Sequence, residues 1–267
     1  MRALRILAAF ILLSATAHAA PRTQFDIAYG TDPQQKLDVY MPEKPAKNAP
    51  ILVMVHGGAW RLGDKRDEES VTYKAPHYTD KGYVFVSMNY RMANTISPLA
   101  QMYDVGDALA FIENKANEWG GDPRKIVLMG HSAGGHLIGL VAAVPPELKY
   151  PLKGTVFLDG AGFDISYIMQ QPHLPFYDEV FGKDPKNWQV NSPIYHLSEK
   201  SAPMFLVCST NNQFCQNADA FMAKAKAFGT AVEMYKVDMD HRPINVELGK
   251  PSPYTDRIDR FIASVVK

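Results

Sequence analysis

The chain has 267 residues, 46% of them hydrophobic and 21% charged, and its 28 basic side chains balance 28 acidic ones. This composition excludes a disordered chain and an integral membrane protein. There is no basic stripe to attract nucleic acid and no block of like charge to form a tail. The length allows two domains, but a single α/β domain is the simpler reading.

Arg2 and Arg5 precede an apolar run, Ile6 to Leu13, and Ala17-His18-Ala19 supplies small residues at cleavage-site spacing. This pattern predicts a secretory signal peptide over residues 1–19, cut after Ala19 or Ala20, because the run is well short of the ~20 residues that span a bilayer. Residues 20–267 form the predicted domain, exported to a bacterial periplasm or medium. The two cysteines, Cys208 and Cys215, lie close together in the sequence. In an oxidising compartment they pair, and the closed loop contributes roughly 2 kcal/mol by the chain-entropy relation; the alternative is two buried thiols. No Cys-x-x-Cys spacing points to zinc or redox chemistry.

Phe25 to Tyr29 and Lys36 to Met41 read as short antiparallel edge strands around Gly30-Thr-Asp-Pro33. Prolines 42, 45 and 50 mark a loop, and Ile51 to Val55 is an apolar run suited to a strand buried on both faces. It ends in His56-Gly57-Gly58-Ala59-Trp60. A helix follows over Asp67 to Lys81, with Pro76 starting a new turn, then a buried strand over Tyr83 to Met88. Val105, Ala108, Leu109 and Ile112 have helical spacing within Ala100 to Trp119, which Gly120-Gly121-Asp122-Pro123 stops.

Lys125 to Met129 predicts a strand, Gly130-His131-Ser132-Ala133-Gly134-Gly135 a sharp turn, and His136 to Ala143 a helix. A Gly-x-Ser-x-Gly pentad in that setting is a nucleophile elbow, so Ser132 is the candidate nucleophile. Thr155 to Leu158 is a further strand. Residues 160–201, with four prolines and seven aromatic rings, predict a cap or a long crossover. Pro203 to Cys208 (strand), Ala218 to Phe228 (helix), Ala231 to Val237 (strand) and Tyr254 to Val265 (helix) complete the alternation. A mostly parallel sheet of about eight strands, covered by helices on both faces, places its site at the strands' carboxyl ends.

His56 to Trp60, Asn89-Tyr90-Arg91, Gly130 to Gly135, and His241 followed by Ile244-Asn245 together resemble the α/β-hydrolase superfamily over most of the chain. Within it they resemble carboxylesterases and kynurenine formamidase-like enzymes whose oxyanion loop begins His-Gly-Gly. The resemblance implies backbone N–H donors at Gly58, Ala59 and Ala133 for the oxyanion, with Gly57 conformational and Trp60 either lining the pocket or packing the loop. It implies His241, four residues after the last strand, as the general base. Neither a metal nor a cofactor is required.

The triad acid is the open position. In the resembling families it follows the strand that here is Pro203 to Cys208, where this chain has Ser209-Thr210-Asn211-Asn212. Three candidates compete: Asp159 at the end of the preceding strand, Asp219 seven residues beyond Asn212, and Asn212 itself orienting His241 in a weak or inactive protein. Asp159 ranks first and Asp164 reads as structural. The resulting expectation is a secreted serine hydrolase acting on small or polysaccharide-linked carboxylic esters, acetyl or feruloyl groups favoured. An arylformamidase and a catalytically silent binding protein are the alternatives.

Overall fold

The computed structural model describes residues 23–267. The signal sequence expected over residues 1–19 lies outside them. The strands are β1 (Thr23–Ala28), β2 (Lys36–Tyr40), β3 (Ala49–Val55), β4 (Val84–Met88), β5 (Gly121–His131), β6 (Gly154–Leu158), β7 (Met204–Ser209) and β8 (Val232–Val237). They form one sheet in the order β1-β2-β4-β3-β5-β6-β7-β8. β2 is antiparallel to both β1 and β4, and every later pairing is parallel. The eight-stranded, mostly parallel sheet with an antiparallel edge is the predicted one.

The helices are α1 (Glu68–Val71), α2 (Lys74–Asp80), α3 (Pro98–Lys115), α4 (Ala133–Ala143), α5 (Ile165–Ile168), α6 (Pro175–Phe181), α7 (Pro185–Val190), α8 (Ala218–Ala227), α9 (His241–Val246) and α10 (Pro253–Val265). Side chains alternate across a strand, so β3 feeds two cores. Ile51, Val53 and Val55 pack with α3, α4 and α8 through Leu109, Leu137 and Phe221. Leu52 and Met54 pack with α2, α9 and α10 through Tyr78, Ile244 and Ile258. Both faces are thereby buried, which is why β3 carries no polar alternation.

Two local boundaries differ from expectation. The helix predicted over Asp67 to Lys81 is broken between Val71 and Lys74, and Pro76 sits in the first turn of α2, where its missing N–H has no intrahelical partner to lose. β5 begins at Gly121, because Ala49 pairs with Gly121 before the register shifts to Ile51–Ile126. The crossover over residues 160–201 contains α5, α6 and α7 and brings Phe176 and Tyr177 over the carboxyl ends of the strands. Among the described residues no helix is long and apolar enough to cross a membrane.

An ionic cluster secures the edge. Lys65, almost fully buried, contacts Asp26 and Asp38 at 2.8 and 3.1 Å, and Arg66 bonds both carboxylates at 2.7 Å. These contacts tie β1 and β2 to the segment that follows the His56–Trp60 loop.

Candidate active site

The turn after β5 forces Ser132 to φ 52°, ψ −119°, a region that side chains with a Cβ rarely enter. Three backbone bonds hold it there: Ser132 N–H donates to Leu158 O at 3.2 Å, and Ser132 O accepts from His136 and Ala161 N–H at 3.1 Å each. Such a conformation costs of order 1–3 kcal/mol and persists because its surroundings over-determine it. The elbow's glycines are required for close approach. A Cβ on Gly134 would lie 2.2 Å from Val55 O, and one on Gly130 would lie 2.5 Å from Gly134 O. Ser132 is half-buried at the N-terminus of α4, where backbone N–H groups lack intrahelical acceptors.

Beside it, the loop leaving β3 has three consecutive positive φ values: Gly58 at 118°, Ala59 at 51° and Trp60 at 63°. Tertiary bonds pin this shape. The Trp60 carbonyl accepts from Gln101 Nε2 at 2.7 Å and from Ala93 N–H at 2.8 Å, and the Trp60 indole donates to His136 Nδ1 at 3.0 Å. His136 Nε2 in turn donates to Asn191 O at 2.7 Å. Both nitrogens are thereby assigned in a neutral ring, and burial pushes His136 down to about 4. Behind the loop, His56 stacks on Tyr90 with centroids 4.5 Å apart, and Tyr90 Oη donates to His56 O at 3.1 Å.

The expectation for Gly57 is corrected. It has no left-handed φ, and the constraint is space: a Cβ there would stand 3.0 Å from His131 Nδ1 and 3.1 Å from Ser132 Cβ. Trp60, posed as either pocket or packing residue, is both: fully buried and part of the cavity wall.

His241 opens α9, and its Nδ1–H donates to Asp159 Oδ2 at 2.6 Å. Nε2 is then the ring's acceptor. Asp159 follows β6 with φ 46° and is fully buried. Its Oδ1 accepts from Ser209 N–H at 2.9 Å, and its Oδ2 also accepts from Asn212 Nδ2 at 3.0 Å. Asn212 therefore contacts the carboxylate, and no bond joins it to the His241 ring in the role considered for it. Asp219 projects from α8 into solvent and pairs with Lys236 at 3.2 Å, away from His241. Asp164 caps α5 by accepting from Tyr167 N–H.

Several contacts had no sequence motif. Phe214 stacks on His241 with centroids 4.0 Å apart, and the buried His131 ring lies 4.5 Å away, donating from Nε2 to His241 O at 3.1 Å. Burial and the neighbouring His241 push His131 well below the ordinary histidine value. Beneath α9, Lys74 is fully buried and donates to Glu69 O and Asn245 O at 2.6 and 2.5 Å. Cys208 and Cys215 form the predicted disulfide.

These elements surround a cavity of about 630 Å³. Trp60, Phe176, Tyr177 and Phe214 supply its aromatic wall, and Asp67, Glu68 and Glu69 an acidic rim, with Arg242 paired to Glu69. Gly58, Ala59 and Ser132 face the same space. Arg61 pairs with Glu179 of α6 and holds the crossover to the loop. Among the described residues no group of three or more His, Cys, Asp or Glu is placed to hold a metal ion.

A strained serine between strand and helix, on a mostly parallel sheet of eight strands, defines an α/β-hydrolase fold. Solved structures share it: esterase 2 of Thermogutta terrifontis superposes with TM-score 0.74 at 22% identity, over 90% of this chain and 94% of that one. A truncated carbohydrate esterase from gut microbiota gives TM-score 0.77 at 18% identity, over 91% and 96%. The chain belongs to the BD-FAE family, whose model matches residues 37–226.

Among curated relatives, the probable carboxylic ester hydrolase LipM of Mycobacterium tuberculosis is 29% identical over 181 residues, covering 61% of this chain and 41% of LipM. Esterase LipQ of the same organism is 27% identical over 230 residues, covering 79% and 54%. The chain spans about half the length of these relatives.

Proposed function

We propose that the protein is a serine carboxylic ester hydrolase acting through an acyl-enzyme. The observation that carries the reading is the 2.6 Å bond from Nδ1 of His241 to the buried Asp159, the His241 ring lining one cavity with the strained Ser132. Nδ1 carries the ring proton, so Nε2 takes the proton of Ser132 Oγ as that oxygen bonds to the acyl carbon. The carbonyl oxygen becomes an oxyanion, stabilised by the N–H groups of Gly58, Ala59 and Ala133. His241 Nε2 then protonates the leaving alcohol, and water repeats the sequence to release the acid. Asp159, deprived of water and bonded by three donors, stabilises the imidazolium in both halves.

The printed names of the relatives LipM and LipQ support ester hydrolysis. The aromatic wall supports an aromatic or short acyl group, feruloyl or acetyl, on a small-molecule or polysaccharide-linked alcohol. The residue pattern before Pro21 and the Cys208–Cys215 bond support an exported, secreted or periplasmic enzyme. Asn212 in the usual acid position argues for a silent binding protein, and the carboxylate bonded to His241 argues against one.

The test is p-nitrophenyl acetate hydrolysis, with fluorophosphonate labelling of wild type and Ser132→Ala. Turnover and labelling confined to wild type are expected. Wild-type turnover equal to that of Ser132→Ala, with no labelling, overturns the reading.

A further inference from the structure

The loop between β7 and α8, residues 210–217, meets both members of the acid–base pair. Asn212 Nδ2 donates to Asp159 Oδ2, and Phe214 lies flat against His241. Asn212 is itself held, because its Oδ1 accepts from Phe214 N–H at 2.8 Å. One amide therefore fixes the carboxylate at one end and the residue stacked on the base at the other. The two ends of the loop are closed onto each other by the Cys208–Cys215 bond. Cys208 belongs to β7, whose neighbour β6 carries Asp159 at its end, with Leu158 paired to Val207 and Asp159 N–H donating to Val207 O at 2.8 Å. The covalent tie thus anchors the loop to the strand beside the acid.

We infer that this disulfide-closed loop is a positioning device for the acid–base pair: Asn212 and Phe214 hold Asp159 and His241 in line, and turnover depends on the bond that holds them. The inference rests on the proposed esterase activity. Asn212 acts through Asp159 and is a positioning residue; Phe214, which also lines the cavity, positions the base through its stacked ring. A buried carboxylate stripped of one of three donors can rotate, and the imidazole bonded to it turns as well. A misplacement of about 1 Å at such a site can lower the rate about 100-fold.

The test compares wild type, Asn212→Ala, Asp159→Asn, the Asn212→Ala/Asp159→Asn double variant and Cys208→Ala/Cys215→Ser, with folding checked by circular dichroism. For p-nitrophenyl acetate, Asn212→Ala and the cysteine variant should lower kcat by about 10- to 100-fold with KM within about twofold. Asn212→Ala should add nothing in the Asp159→Asn background, because both act through one carboxylate; a merely structural contribution would add in full. The His241 Nδ1 proton gives a reading independent of turnover: its downfield 1H resonance should broaden by solvent exchange in Asn212→Ala and in the cysteine variant. Wild-type kcat and an unchanged resonance in both variants overturn the inference while leaving the esterase reading intact. Absence of Ser132-dependent turnover in wild type defeats that reading first, and this one with it.

Discussion

Trp60 donates its indole N–H to His136 Nδ1 over 3.0 Å, joining the loop after β3 to the helix after Ser132. Because the other ring nitrogen is committed to Asn191 O, the ring has a single tautomer in which Trp60 keeps its acceptor. His136→Phe retains much of the volume and leaves the buried indole N–H without a partner. The expected result is a fall in kcat of about 10- to 100-fold with little change in KM, since the oxyanion donors proposed at Gly58 and Ala59, next to Trp60, would lose their fixed geometry. Steady-state hydrolysis of p-nitrophenyl acetate decides it, and a kcat within twofold of wild type would count against the coupling.

The same ring sets a pH dependence of stability. Burial lowers His136 from 6.5 to about 4, and burial likewise lowers His56 and His131. Between those values the unfolded chain binds more protons than the folded one, so stability rises with pH there. The contribution is present in full above pH 6.5 and is lost as pH falls towards 4; for His136 alone it is about 3 kcal/mol. Urea midpoints measured at about pH 7 and about pH 5 should be lower at the acidic pH, and the drop should be smaller in His136→Gln. Equal drops in the two proteins would show that His136 does not carry the effect.

Strain at Ser132 predicts opposite effects on stability and activity. Glycine adopts φ 52°, ψ −119° without the Cβ penalty, so Ser132→Gly should abolish turnover and raise the melting temperature by about 2–4 °C for each 1 kcal/mol relieved. Ser132→Ala keeps the Cβ and should lack that gain. Calorimetry on the two variants separates backbone strain from loss of the hydroxyl; identical melting temperatures would argue that the strain is negligible.

Asn212 and Asp159 invite an exchange. Asp159→Asn should lower kcat by about 10⁴-fold, the scale of an Asp-to-Asn change in another serine triad. Asn212 Nδ2 and His241 Nδ1 both reach Asp159 Oδ2, at 3.0 and 2.6 Å, so a carboxylate at 212 stands within short reach of the imidazole. Asp159→Asn/Asn212→Asp should therefore recover at least about tenfold of the lost kcat. The single Asn212→Asp variant should lose activity as pH rises, because two adjacent ionised carboxylates repel unless they share a proton. A double variant no better than Asp159→Asn would show that position 212 cannot serve the histidine.

What the sequence determined by itself was local. Apolar runs located the inner strands within a few residues, because a strand buried on both faces must be largely apolar, while flanking turn residues marked the exposed edge strand β1. Ser132 was legible for a similar reason, since small residues around a serine between strand and helix write the turn into neighbouring positions. His241 was named through the resemblance, by its place after the last strand, and the Cys208–Cys215 pair by proximity along the chain. The contacts of Gln101, His136, Asn212 and Lys74 were not, because each joins segments that no periodicity relates.

Only the tertiary structure decided which side chains converge. The sequence ranks Asp159 ahead of Asp219 and Asn212 but leaves all three open. The sheet brings the ends of β6, β7 and β8 together, so that Asp159 meets Ser209, Asn212 and His241 while Asp219 turns to solvent. Gly57 changed meaning in the same way: its constraint is the space beside His131 and Ser132, set by the parallel pairing of β3 with β5. Spacing along a chain specifies backbone conformation, whereas the partner of a buried polar group depends on which strands lie side by side.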